Sequence, residues 1–130
     1  MAIKHVFLSF VEEDLELVKL FRGQARNKNS ALSFDDYSVK VPYNSADAGY
    51  IRGKIREKIR SSSVLICLVG PHTHKSTWVD WELRTADELG KKIIGVKLRR
   101  EARDPLPAAL NSVGAKTCGW DIDSIVGLIG

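Results

Sequence analysis

The chain has 130 residues, of which 44% are apolar, 28% charged and 8% aromatic, with ten glycines and four prolines. At this length folding buries roughly two-thirds of the surface of the unfolded chain, so residues 1–130 are expected to form a single domain around its own core; disorder, collagen and coiled coil are excluded. Twenty basic against sixteen acidic residues give a net charge of +4, too small an excess to indicate a nucleic-acid partner.

Residues 3–10 are a short apolar, β-branched and aromatic run that predicts the first strand. Acidic residues follow, and Leu15, Val18, Phe21 and Ala25 then recur at helical spacing, which predicts a helix over about 14–26, broken at 27–30. A brief second strand at 32–35 opens into a polar loop, 36–46, that contains Pro42 and Asn44. In IRGKIREKIR the isoleucines at 51, 55 and 59 form one stripe of a second helix. Its lysines and arginines take the remaining, solvated faces, and no aromatic side chains interleave with them to stack on bases, so no nucleic acid is expected.

Residues 64–70 are apolar at almost every position, the mark of a central strand buried on both faces, and Gly70 and Pro71 end it. Ser76 or Thr77 caps a third helix, with Asp80 three residues beyond Thr77 at capping-box spacing and Gly90 closing it. Residues 93–98 predict a fourth strand, 99–112 an irregular stretch with at most one helical turn, 116–120 a fifth strand and 121–128 a short last helix.

The apolar run at 64–69 is far shorter than the ~20 residues that cross a bilayer, and MAIKHVFLSFVEED runs from a brief apolar stretch straight into acids instead of a cleavage site. The expectation is a cytoplasmic protein without membrane contact. Cys67 and Cys118 stand far apart, neither CxxC nor HxxxH occurs, and His72 and His74 fall on a loop, so no metal site is expected.

Strands separated by helices pair in parallel through right-handed crossovers, giving an α/β fold with helices on both faces of a five-stranded sheet. With no glycine-rich dinucleotide fingerprint after the first strand, the flavodoxin-like order 2-1-3-4-5 is favoured over the Rossmann order. A ligand crevice then opens beyond the carboxyl ends of strands one and three, which points to Ser9 and Phe10 and to the residues after Gly70.

On a wheel of about 100° per residue, Leu89, Ala86, Val79 and Leu83 lie within about 140° of Trp78, and Asp80, Arg84, Asp87 and Glu88 lie on the opposite side. Glu82 falls at about 40°, inside the apolar arc. A carboxylate there is costly unless it is paired or used. It is either salt-bridged to a basic residue of a neighbouring element, left wet beyond the sheet, or part of a site. Its place overhanging the crevice favours the last. Trp78 shares its face and suits a ligand with a planar ring and a sugar, whereas Trp81 serves equally well as a wedge against neighbouring elements.

These segments resemble Toll/interleukin-1 receptor (TIR) domains, specifically the prokaryotic TIR-like branch that includes the Thoeris antiphage defence proteins. VFLSFVEED resembles the family's opening strand and acidic loop, FDDYSVKVP its second strand and the long loop after it, STWVDWEL the segment carrying its catalytic glutamate, and GKKIIGVKL its fourth strand. The resemblance implies an enzyme, an NAD glycohydrolase or ADP-ribosyl cyclase, that breaks the nicotinamide–ribose bond and makes an ADP-ribose-derived, cyclic signal nucleotide. Glu82 then matches the catalytic glutamate, Ser9 and Phe10 the nicotinamide-side wall, and Asp36, Tyr37 and Ser38 the loop that borders the site and mediates self-association. Trp78 joins them as a substrate-binding residue. NAD enters as substrate and no cofactor is implied; the implied partners are further copies of the chain and a separate effector protein reached through the nucleotide product. Val79 and Trp81 depart from the family's usual residues.

Two alternatives stay open: a non-catalytic TIR scaffold acting by self-association, and a nucleoside deoxyribosyltransferase-like enzyme. A response-regulator receiver is rejected, because Gly70, Pro71 and His72 stand where its phosphoacceptor aspartate is needed.

Overall fold

The computed structural model describes residues 3–28, 31–37, 40–99 and 102–129. Five strands, β1 (Lys4–Ser9), β2 (Leu32–Asp35), β3 (Val64–Val69), β4 (Lys92–Lys97) and β5 (Lys116–Gly119), form one sheet in the order β2-β1-β3-β4-β5. Every pairing is parallel. The helices are α1 (Leu15–Lys28), α2 (Ala48–Arg60), α3 (Thr77–Glu88), α4 (Ala108–Ser112) and α5 (Ile122–Ile129), with single 3-10 turns at Glu12–Asp14 and Thr73–Lys75. The architecture is the flavodoxin-like one expected from the alternation of elements.

Alternation along the strands divides the core in two. On one face, Val6, Leu8, Ile66 and Leu68 pack with Val18 and Phe21 of α1 and Ile122 and Ile125 of α5. On the other, Phe7, Leu65, Cys67 and Val69 pack with Ile55 and Ile59 of α2, Val79 and Leu83 of α3, and Leu110 of α4. All six residues of β3 are buried, which is why that segment reads as an unbroken apolar run.

The end of α3 follows from its glycine. Gly90 has φ of 71°, a left-handed conformation that an L side chain resists. It lets Lys91 N–H donate to Ala86 O at 2.9 Å and Gly90 N–H donate to Asp87 O at 3.0 Å, the paired closure of a Schellman motif. The beginning of α3 departs from expectation in one respect. Ser76 is the cap, and its hydroxyl accepts from Val79 N–H, but Asp80 does not reach back to complete a capping box. With Ser76 at the cap, Asp80 lies one residue past the position that can do so, and its carboxylate accepts instead from Arg84 Nε at 2.9 Å. Replacing Ser76 by Ala is expected to lower stability by about 1 kcal/mol, read as a shift in urea midpoint at unchanged slope.

Candidate active site

The site lies where the winding of the sheet reverses, between the carboxyl ends of β1 and β3. Ser9 ends β1 in register with Cys67 of β3, and alternation turns its side chain toward α3. The chain from β3 to α3 is fixed by Thr73, wholly buried, whose hydroxyl accepts from Gly70 N–H at 2.8 Å. Ser76 then sets the first turn of α3 and thereby the rotation that aims Glu82 at the sheet.

Glu82 is 0% exposed. Its Oε1 accepts from Ser9 Oγ at 2.7 Å, a contact spanning 73 residues of sequence. Its Oε2 lies 2.9 Å from Nζ of Lys40, which comes from the long connection between β2 and α2. That contact is an ion pair by distance, yet its angles fall short of a well-formed hydrogen bond, so Oε2 remains the less satisfied oxygen. Burial pushes the Glu82 carboxyl above its ordinary value of 4.5, while Lys40 and the Ser9 hydroxyl pull against that shift. Beside it, burial and the Glu82 charge push the Cys67 thiol up, so this cysteine is a packing group and not a nucleophile.

A cavity of about 530 Å³ opens next to this pair, within the range of small-molecule sites. One wall is the end of β1 and the turn after it, with Phe10, Val11, Glu12 and Glu13; another is Lys40, Val41 and Pro42; the third is His72, Lys75, Ser76 and Trp78. The cavity is therefore lined both by acidic residues, Glu12 and Glu13, and by the basic residues Lys40, His72 and Lys75. Lys40 lines the cavity and at the same time covers Glu82.

Trp78 occupies the expected wall in a different manner from a stacking platform. Its ring meets Tyr43 and Trp81 edge to face, at centroid distances of 5.1 and 6.1 Å, and Nε1 donates to Val41 O at 2.7 Å. A buried indole N–H requires a partner, and here the partner is the backbone beside Lys40. Arg52 holds the same segment from the other side, donating to Tyr43 O at 3.2 Å with its guanidinium over the Tyr43 ring. Trp78→Phe, which removes that donor, is expected to lower stability by about 1 kcal/mol and to speed hydrogen exchange in the 40–43 segment.

The residues singled out from sequence thus separate into groups. Glu82 and Ser9 are in direct contact. Phe10 and Trp78 line the cavity, although the Phe10 side chain belongs to the core on the α1 face. Asp36 is paired with Arg22 of α1, and Tyr37 packs on the core against α2 and α3; neither lines the cavity. Ser38 lies outside the described residues. Lys40 is a member of the site that sequence reasoning misses. The available signal is its isolation, since it is the one basic residue between Lys28 and Arg52. His72 and Lys75 are likewise members that only the fold reveals. Among the described residues no three His, Cys, Asp or Glu side chains converge on a metal position, and no helix is long and apolar enough to cross a membrane.

Among solved structures the chain is similar to the flavodoxin-like domain of a Synechococcus sp. protein, with a TM-score of 0.52 and 13% identity over 86% of this chain and 76% of that one, a likeness of fold alone. No match was found among curated proteins. Residues 7–103, which run from within β1 through β4 and hold every residue of the site, match the family model described as Thoeris protein ThsB, TIR-like domain. By that match over most of its length, the chain belongs to the ThsB TIR-like family of Thoeris proteins.

Proposed function

We propose that this domain cleaves NAD at the nicotinamide–ribose bond, releasing nicotinamide and an ADP-ribose-derived, cyclic signal nucleotide that acts on a separate effector in antiphage defence. One observation carries this reading: a wholly buried carboxylate, Glu82, oriented by Ser9 and adjoining a nucleotide-sized cavity at the switch point of the sheet. Family membership supports it.

The chemistry asks little beyond one fixed anion. As the C1′–N bond breaks, its electron pair goes to the pyridinium nitrogen, which becomes neutral and needs no proton. Positive charge builds on C1′ and the ring oxygen of the ribose, and Glu82 stabilises that charge. The oxygen of water, or of a ribose hydroxyl of the same nucleotide, then bonds to C1′, and the proton it loses passes to solvent. Glycosidases that expel an alkoxide need a second carboxyl; here the leaving group is already activated. Lys75 and His72 at the N-terminus of α3 suit the diphosphate.

A second reading, a non-catalytic scaffold, draws on the Lys40 contact, because a Glu–Lys pair can be purely structural. Purified protein incubated with NAD, or with purine and pyrimidine nucleosides, and analysed by mass spectrometry separates the readings. NAD loss with nicotinamide formation, strengthened by a crowding agent that promotes self-association, is the expected result. Unchanged NAD with the protein concentrated and crowded favours the scaffold; nucleoside transfer without NAD loss favours a deoxyribosyltransferase.

A further inference from the structure

Glu82 lies beneath the cavity, not on its wall, and the group between them is a cation. Among the described residues Lys40 is the only one whose charge comes within 4.0 Å of Glu82, and its side chain is 14% exposed. Its hydrogen-bond donor Ser9 and the neighbouring Cys67 thiol carry no charge. Removing the ammonium without replacing it would strand a buried anion, which is far costlier than exchanging one cation for another. Lys40 also has somewhere to go, because it already faces the cavity and its long stem can carry the ammonium out to water.

Resting on the proposed NAD cleavage, we infer that the Lys40 ammonium holds the place of the positive charge that an oxidised pyridine nucleotide brings to Glu82. The site then admits a ligand that substitutes for that cation and rejects its uncharged, reduced counterpart. Lys40 is a positioning and specificity residue in this scheme: it sits against the Glu82 carboxyl while the site is empty and withdraws when a pyridinium nucleotide enters. The selectivity follows from charge balance. A cationic ligand leaves the buried carboxylate compensated before and after binding, whereas a neutral ligand of the same shape either leaves Lys40 in its way or leaves Glu82 unpaired.

The test uses a ligand that cannot be cleaved: the carbocyclic NAD analogue in which a methylene replaces the ring oxygen of the nicotinamide-bearing ribose, in its oxidised and its chemically reduced form. Binding is measured by calorimetry at neutral pH to wild type, Lys40→Met and Lys40→Arg, each checked for folding by thermal melting. Wild type and Lys40→Arg are expected to prefer the oxidised form by about tenfold or more. In Lys40→Met the lone carboxyl takes up a proton and no longer calls for a cation, so the preference falls to within about threefold. Equal binding of the two forms by wild type, binding of neither form, or a preference unchanged in Lys40→Met overturns the inference. Nicotinamide release from authentic NAD is scored separately. If it is absent while the charge preference behaves as described, NAD cleavage fails and the inference about Lys40 stands; if cleavage occurs without the preference, the reverse holds.

Discussion

Glu82→Gln is expected to reduce NAD cleavage by about 10²–10³-fold or more while leaving the domain folded and, at neutral pH, at least as stable as wild type. The loss follows because an amide cannot stabilise positive charge on the ribose. The stability follows from burial. The introduced amide oxygen can still accept from Ser9 Oγ, Lys40 can swing into the adjoining cavity, and the cost of keeping an anion out of water disappears. The pH dependence has a definite sign. The Glu82 carboxyl is held above its ordinary value of 4.5, so between that value and its raised one the folded protein binds more protons than the unfolded chain. Its contribution to stability is complete below pH 4.5 and is lost as pH rises through the raised value. The melting midpoint of Glu82→Gln minus that of wild type is therefore expected to grow with pH across this window. Cleavage by wild type is expected to show the opposite trend, rising as Glu82 ionises and failing on acidification earlier than an exposed glutamate would dictate. A variant that melts well below wild type at neutral pH would show that the Glu82–Lys40 pair holds the fold together and is not reserved for a ligand.

The second large effect concerns the hinge between β3 and the site. Gly70 lies directly under Asp14, and a Cβ added there would approach Asp14 Cγ to 2.6 Å, inside any permitted contact. Asp14 is 7% exposed, its Oδ2 has no hydrogen-bond partner, and burial together with Glu13 and Asp104 pushes its pKa up. Gly70→Ala must turn this carboxylate out of its seat or displace the strand end, and is expected to cost about 1–3 kcal/mol. If the clash is the cause, Asp14→Ala relieves it, and the double variant should be little less stable than Asp14→Ala alone. A double-mutant cycle by urea denaturation measures this coupling. Additive losses would mean that Gly70 is needed for its own backbone and not for the space it leaves to Asp14.

Much of this organisation is legible in the sequence because it rests on periodicity. The apolar run of β3, the isoleucine stripe of α2 and the single acid in the apolar arc of α3 each encode burial in residue spacing. Glu82 stands out on a wheel because α3 is long enough, at twelve residues, for one misplaced charge to be conspicuous. What covers Glu82 is not legible in this way. Lys40 reaches it from an aperiodic connection, and only the fold brings the two together. The position of Trp78 on the helix does not reveal the partner of its N–H, which is Val41 O, far away in sequence. Asp36, grouped with the site by resemblance, is drawn instead to Arg22 on the opposite layer.

The most direct measurement is proton NMR of NAD mixed with the purified protein, at concentrations that span self-association, with the free nicotinamide resonances followed over time. The account predicts that these signals grow in wild type and stay absent with Glu82→Gln at equal concentration and fold. Equal growth in both proteins, or none in wild type at any concentration, would contradict it.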